Sequence, residues 1–207
     1  VLALLLAAGT AAAAQRADFG PEPASADARH VADWAAHSGD HAGLPFIVVD
    51  KVQSRVFVFD GAGRLQGAAS ALLGSATGDA SVPGIGDRKI SSILPEERTT
   101  PAGRFVASID RSLTGEDILW VDYDTAIALH RVIATAPKER RLQRLAGSVA
   151  SDRRITYGCI NVPVRFFEQV IAPAFRGAGG IVYVLPEQRP AREVFGSYDP
   201  AAPQRAP

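Results

Sequence analysis

Short runs of apolar, β-branched and aromatic residues alternate with turn signals along most of the chain, which is typical of β-strands. The sequence Asp60-Gly61-Ala62-Gly63 marks a tight turn and predicts a β-hairpin between the two runs that flank it. The segments predicted as strands are 46–50, 55–60, 64–73, 103–109, 118–123, 126–130 and 180–185.

Three other segments are predicted as helices, and in the first and third of them apolar residues recur at helical spacing. The first is 27–37. The second is 135–145, where Thr135 can cap the helix. The third is 163–175, which Pro173 should end or bend. We therefore expect a mostly β fold with a few helices.

The two ends of the chain differ from its middle. Residues 1–14 are uncharged, apolar and end in small residues, which predicts a signal-peptide remnant and export to the periplasm or cell envelope. This run is shorter than the about 20 residues that span a bilayer, so we expect no stable membrane span. The remaining divisions are a mobile leader with a short helix at 15–43, one folded domain at 44–186, and a Pro-rich tail at 187–207 that is disordered or lies along the surface.

The charge of the chain argues against some classes of partner but does not indicate a function. The 207 residues contain 22 Lys and Arg against 22 Asp and Glu, so the formal net charge is zero. A neutral chain has no overall field that attracts nucleic acid or an anionic membrane surface. We therefore expect no nucleic-acid partner.

Cys159 is the only cysteine of the chain, so it cannot form an internal disulfide. Gly158 permits a tight backbone turn before it, and the predicted helix at 163–175 follows it. A helix N-terminus would favour the thiolate and offer N–H donors to an oxyanion. The alternative is a buried structural cysteine, because strand-to-helix turns that contain glycine are common.

A thiol nucleophile needs a base, and histidine suits this role because its pKa lies near neutrality. His30, His37 and His41 fall in the leader, whereas His130 ends the apolar strand at 126–130. His130 is therefore the candidate base, and a histidine packed at the edge of the core is the alternative. His37 and His41 lack a third ligand nearby, so solvated histidines are expected there and no metal site.

Three stretches, in the same order, resemble the L,D-transpeptidase family of peptidoglycan cysteine transpeptidases. They are the hairpin 47–60, the segment Thr99-Thr-Pro-Ala-Gly-Arg-Phe105, and Leu129-His130 followed by Thr156-Tyr-Gly-Cys159. The likeness covers about 46–185 and identifies 44–186 as a candidate catalytic domain.

The resemblance implies a β-rich catalytic fold that acts on peptidoglycan stem peptides through a thioester, without metal or organic cofactor. Cys159 would be the nucleophile and His130 the base. Thr156, Tyr157 and Gly158 would form and support the oxyanion hole. An L,D-carboxypeptidase or endopeptidase would use the same residues with water as acceptor, and a non-catalytic wall-binding module is the third alternative.

The chain departs from the family in three ways. Arg131 replaces the glycine usual after the histidine, the interval 131–155 is longer than usual, and Asn161 stands where an arginine is usual. Asn161 is predicted as a helix N-cap. The candidates for substrate binding are Asn161, Arg154 and Arg131.

The interval 131–155 is strongly basic. One hypothesis is a lid whose arginines grip substrate carboxylates in place of the missing family arginine. The alternative is a solvated helix at 137–145, with Leu142 and Leu145 packed down and the charges facing water.

Overall fold

The computed structural model describes residues 15–202. The predicted signal remnant at 1–14 and the last five residues lie outside the described residues. The strands of the described part are β1 (Phe46–Asp50), β2 (Arg55–Phe59), β3 (Leu65–Ser70), β4 (Leu73–Gly74), β5 (Gly103–Arg111), β6 (Asp117–Asp122), β7 (Ile127–Arg131), β8 (Arg154–Thr156), β9 (Ile160–Val162) and β10 (Gly180–Val184). The α-helices are α1 (Ala26–Ser38), α2 (Arg141–Ala146), α3 (Val164–Phe166), α4 (Ala172–Phe175) and α5 (Ala191–Phe195).

Eight of these strands form one mixed sheet in the order β3-β2-β1-β10-β5-β6-β7-β9. The pairs β1–β10 and β7–β9 are parallel, and the other neighbours are antiparallel. Leu72, just after β3, exchanges backbone hydrogen bonds of 2.8 and 2.9 Å with Asn161 in β9. This bridge joins the two ends of the sheet into a near-barrel, and the prediction of a β-rich fold with a few helices is confirmed.

The middle strands are buried on both faces, which explains their unbroken apolar runs. On the inner face, Val58 belongs to a core cluster that includes Phe167 from the segment between α3 and α4. On the outer face, Phe57 and Tyr183 pack in a second cluster with Val31 of α1. The sheet therefore needs α1 as a cover.

The prediction of a helix at 27–37 is confirmed by α1. Ser25 caps it by accepting a hydrogen bond from the Ala28 N–H at 3.1 Å, and Gly39 ends it in the left-handed conformation with φ 70°. The expectation of a mobile leader is wrong, because the apolar side of α1 covers the outer face of the sheet. The division of the chain near residues 43 and 186 remains a prediction.

The expectation of solvated histidines at positions 37 and 41 is wrong for His41, which is buried. His41 is 3% exposed. The ring of His30 lies 2.9 Å from the Ser197 hydroxyl, and that of His37 lies 3.0 Å from the Tyr198 hydroxyl. The described part of the tail thus packs back onto the leader.

Two helix predictions have different outcomes. The helix at 163–175 is confirmed in extent, with a π-helical segment at Phe167–Ile171 between α3 and α4. The carbonyl that would pair with the missing N–H of Pro173 lies in that widened segment. The single helix at 135–145 is wrong, because a 3₁₀ turn and α2 meet at Arg140, whose φ of 51° breaks the helix. Within residues 15–202, every helix is too short or too polar to cross a membrane.

Candidate active site

Cys159 lies in the short connection between β8 and β9. The strand β9 follows it directly, and the next helix begins only at Val164 with Pro163 as its N-cap residue. The prediction of Cys159 at a helix start is therefore wrong, and no helix dipole assists its ionisation. The prediction of Asn161 as a helix cap is wrong for the same reason, because Asn161 is the middle residue of β9.

Two threonines fix the backbone just before the thiol. The Thr100 hydroxyl donates to the Gly158 carbonyl at 2.7 Å and accepts from the Gly74 N–H at 2.9 Å. The Thr156 hydroxyl donates to the Cys159 carbonyl at 2.7 Å and accepts from the Gly158 N–H at 3.1 Å. Both carbonyls are thereby held, and the Gly158 N–H is already used by Thr156.

Only glycine fits at position 158. Gly158 has a φ of 136°, which is strained for residues with a side chain. A Cβ atom there would lie 2.7 Å from the Thr99 carbonyl oxygen and 2.7 Å from the Ile127 Cδ1. The loop therefore packs its backbone directly against the segment that contains Thr99 and Thr100.

The thiol opens into a largely apolar pocket of about 270 Å³. The loop between β4 and β5 forms one wall, to which its first two 3₁₀ turns, Ile85–Asp87 and Ile90–Ser92, contribute residues. The residues that line the pocket near Cys159 include Ile85, Ile90, Ile93, Leu113, Ile127 and Tyr157. The Tyr157 ring lies at this pocket, with the Arg98 guanidinium 4.1 Å from its centroid.

Burial raises the pKa of the Cys159 thiol, while hydrogen bonds from the backbone at Ala128 and at Cys159 itself act in the opposite direction. The protonated thiol is therefore the resting form at neutral pH. A base must remove its proton before or during nucleophilic attack.

His130 lies in β7, paired in register with Asn161 of β9. Its Nδ1 lies 2.8 Å from the Arg131 carbonyl oxygen, and its Nε2 lies 3.0 Å from the Asn161 Nδ2. Burial lowers the pKa of His130, so the imidazole stays neutral below the usual range.

Cys159 therefore directly precedes β9, the strand that pairs with the strand of His130. Between these two described residues there is no hydrogen bond. The polar atom paired with the Cys159 Sγ is the Ala126 carbonyl oxygen, at 3.8 Å. The sequence identified both residues as candidates, but it did not indicate that both ring nitrogens of His130 have other partners.

Asn161 is 1% exposed, and its amide bridges two groups. The Nδ2 faces His130, and the Oδ1 accepts a hydrogen bond from the Arg141 guanidinium at 2.9 Å. Arg141 belongs to α2, in the basic interval 131–155. The sequence reasoning did not identify Arg141, since nothing in the local sequence distinguishes it from its basic neighbours.

The other candidates for substrate binding have partners inside the protein. Arg154 donates to the Ala76 carbonyl at 2.7 Å and to Glu187 at 2.9 Å. Arg131 donates to Glu168 at 3.0 Å, and its guanidinium lies 4.4 Å from the Phe167 ring centroid. These contacts favour structural roles for both arginines.

The basic interval does not form a simple helix with two packed leucines. Leu145 is 8% exposed but Leu142 is 56% exposed, so only Leu145 packs down. Arg144 donates to the carbonyls of Glu139 and Asp152, at 2.8 and 2.6 Å. Arg144 therefore holds the interval itself together.

A buried ionic cluster lies behind the threonines. Lys51 donates to Asp79 at 2.9 Å, to the Gly78 carbonyl at 2.6 Å and to the Thr100 carbonyl at 3.1 Å. Glu187 is part of the cluster, since its carboxylate lies 3.5 Å from Lys51. Within residues 15–202, no three His, Cys, Asp or Glu side chains are grouped so as to hold a metal ion.

No family model and no curated protein matches the sequence. Among solved structures, the helical cell shape determining protein Pgp2 from Campylobacter jejuni is similar, with a TM-score of 0.48, 15% identity, and coverage of 70% of this chain and 49% of Pgp2. The structure of its K307A mutant has a TM-score of 0.49 at 14% identity, with 70% of this chain and 48% of that chain covered. The chain thus spans about half the length of Pgp2. The catalytic domain of the E. faecium L,D-transpeptidase gives a TM-score of 0.41 at 15% identity, with 68% of this chain and 95% of that domain covered. Likenesses this distant concern the backbone and bear on no residue's role.

Proposed function

We propose that this chain is a cysteine-dependent L,D-transpeptidase that acts on peptidoglycan stem peptides. The observation that carries the proposal is the setting of its one cysteine. Cys159 opens into a pocket at the end of a loop anchored by Thr100 and Thr156, one strand away from His130. An inert core cysteine needs neither the pocket nor the anchored loop.

The proposed reaction has two halves. His130 Nε2 takes the thiol proton, and Sγ attacks the carbonyl carbon that precedes the terminal D-residue of the stem. The C–N bond breaks, the proton passes from His130 to the departing amine, and a thioester remains on Cys159. An amine of a second stem then attacks the thioester, its proton passes through His130, and the thiol is restored.

Backbone N–H groups near 156–159 would stabilise the oxyanion of each tetrahedral intermediate. The Gly158 N–H is bound to Thr156, so the N–H of Cys159 itself is the favoured donor. Thr156 would then support the hole, and Tyr157 would line the substrate pocket. The chemistry needs no metal or cofactor. An enzyme of this kind would work in the periplasm or cell envelope, in agreement with the predicted signal remnant at 1–14.

Hydrolysis by an L,D-carboxypeptidase or endopeptidase would use the same first half, with water as the acceptor. The test is incubation of purified protein with tetrapeptide stems, with and without an acceptor amine, followed by mass analysis of the products. Cross-linked product with release of the D-residue supports transfer, and tripeptide alone supports hydrolysis. Neither product with the wild type would overturn the proposal, and the Cys159→Ala variant is the control.

A second candidate function, a non-catalytic wall-binding module, is favoured by two observations. Both nitrogens of His130 have partners other than Cys159, and burial raises the pKa of the thiol. The two candidates differ in turnover of tetrapeptide stems. In the enzyme, His130→Gln should slow release of the terminal D-residue, whereas the module should release none in either protein.

A further inference from the structure

The hydrogen bonds around Asn161 have only one consistent direction. A guanidinium has donors and no acceptor, so the atom of Asn161 that faces Arg141 must be its Oδ1. The amide nitrogen must then be the atom that faces His130. The orientation of this amide is therefore decided by Arg141, independently of how the two atoms are assigned.

The donor and acceptor roles at Asn161 also fix those of the two imidazole nitrogens of His130. Because the Asn161 Nδ2 can only donate, the His130 Nε2 must accept with its lone pair. The proton of the neutral ring is then on Nδ1, which donates to the Arg131 carbonyl oxygen at 2.8 Å. A proton on Nε2 would place two N–H groups against each other across 3.0 Å. The network thus accommodates one neutral tautomer and opposes the imidazolium.

From these contacts we infer that Arg141 is a positioning residue for His130, holding the ring through Asn161 as the Nδ1–H tautomer with Nε2 occupied. The inference rests on the proposed function only for its catalytic consequence. Other contacts agree with it. Asn161 is buried, so water does not compete for its amide, and Glu139 holds the Arg141 guanidinium from the other side at 2.5 Å. The charged groups that act on His130 are Arg141, which lowers its pKa, and Glu116, which raises it.

The catalytic consequence is a base that is inactive until Arg141 changes its partner. An incoming carboxylate on a stem peptide competes with the Asn161 Oδ1 for the guanidinium. Once released, the amide turns, Nε2 is free to take the thiol proton, and the Asn161 Oδ1 can accept from the imidazolium. Arg141 thereby links carboxylate recognition to activation of His130, and the basic interval acts on the base through this one side chain.

The test is nitrogen NMR of the histidine rings across a pH titration, with His130→Gln identifying the His130 signals. Wild-type His130 should be the Nδ1–H tautomer. In Arg141→Met the amide is free to turn, so the pKa of His130 should rise. Arg141→Lys keeps a donor and should preserve the wild-type tautomer. Arg140→Met is the matched control, because it removes the same charge one residue away without a contact to Asn161, and it should titrate like the wild type.

Two results would overturn the inference. One is an Nε2–H tautomer in the wild type, which needs no variant and so does not depend on the folding of any. The other is an equal pKa of His130 in Arg141→Met and Arg140→Met, with both proteins giving native far-UV circular dichroism. Failure of the proposed function would leave these ring signals unchanged, so the two failures are distinguishable. If the enzyme is active, the acid limb of its pH profile of kcat/KM should shift to higher pH in Arg141→Met, together with the pKa measured by NMR. The same limb should not shift in Arg140→Met.

Discussion

Removal of the Thr100 hydroxyl should destabilise the fold and loosen the loop that holds the thiol. Thr100 is 0% exposed, and its hydroxyl is bonded to both the Gly158 carbonyl and the Gly74 N–H. Thr100→Val keeps the shape of the side chain but leaves both buried backbone groups without a partner. Each such group costs about 1–3 kcal/mol, so the free energy of unfolding should fall by about 2–6 kcal/mol.

Thr100→Ser is the matched control, because serine keeps the hydroxyl and loses only a methyl group. That loss should cost about 1 kcal/mol. Urea unfolding followed by circular dichroism gives both free energies. Labelling of Cys159 by iodoacetamide reports on the loop. Labelling should be faster in Thr100→Val, because a released loop exposes the thiol, whereas turnover should fall because the thiol is no longer positioned.

These opposite changes separate loop anchoring from general loss of stability. Equal unfolding free energies for Thr100→Val and Thr100→Ser would refute the anchoring role of the hydroxyl. Faster labelling together with undiminished turnover in Thr100→Val would refute the link between the anchored loop and catalysis.

Three further predictions concern other parts of the site. Gly158→Ala should lower the free energy of unfolding more than Gly177→Ala does. Both positions have a positive φ, which costs about 1–3 kcal/mol for alanine, but of the two only the Cβ at 158 would meet a backbone atom at 2.7 Å. Equal melting temperatures of the two variants would contradict this. Lys51→Met should cost about 3–5 kcal/mol by leaving the buried Asp79 carboxylate without its cation, and the double variant with Asp79→Asn should recover part of that loss in urea titrations. Burial lowers the pKa of His130 below its usual 6.5, so below that pH the unfolded chain binds more protons than the folded one. The free energy of unfolding should therefore fall on acidification, and it should fall less in His130→Gln. Parallel pH profiles of stability for the two proteins would show that His130 is not buried in its neutral form.

The sequence was sufficient for the features that depend on local patterns. Runs such as 46–50 and 180–185 have the length and composition of strands buried on both faces, and both are found. The periodicity of 27–37 predicted α1. The apolar side that this periodicity gives the helix has to pack on another element, and it packs on the outer face of the sheet. Elimination among four histidines, together with the motif at Thr156–Cys159, led to His130 in β7 and to Cys159, which directly precedes the paired strand β9.

Features that depend on distant contacts were not predictable. β9 is only three residues long, and it exists because it pairs with β7 on one side and bridges Leu72 on the other. A strand so short has no period of its own, so nothing in the sequence separates Cys159 from the helix that begins after Pro163. The link from Arg141 to Asn161 spans 20 residues and depends on the break at Arg140, whose positive φ no rule of composition predicts.

The central claim is that Cys159 carries an acyl group during turnover, and an acid quench tests it most directly. The protein is mixed with tetrapeptide stems without an acceptor amine, quenched in acid within seconds, and measured by intact mass and by peptide mapping. The account predicts a mass increase equal to the tripeptide acyl group, located on the peptide that contains Cys159 and absent from Cys159→Ser. Release of the D-residue without any acyl adduct on Cys159, or equal release by Cys159→Ser, would contradict it.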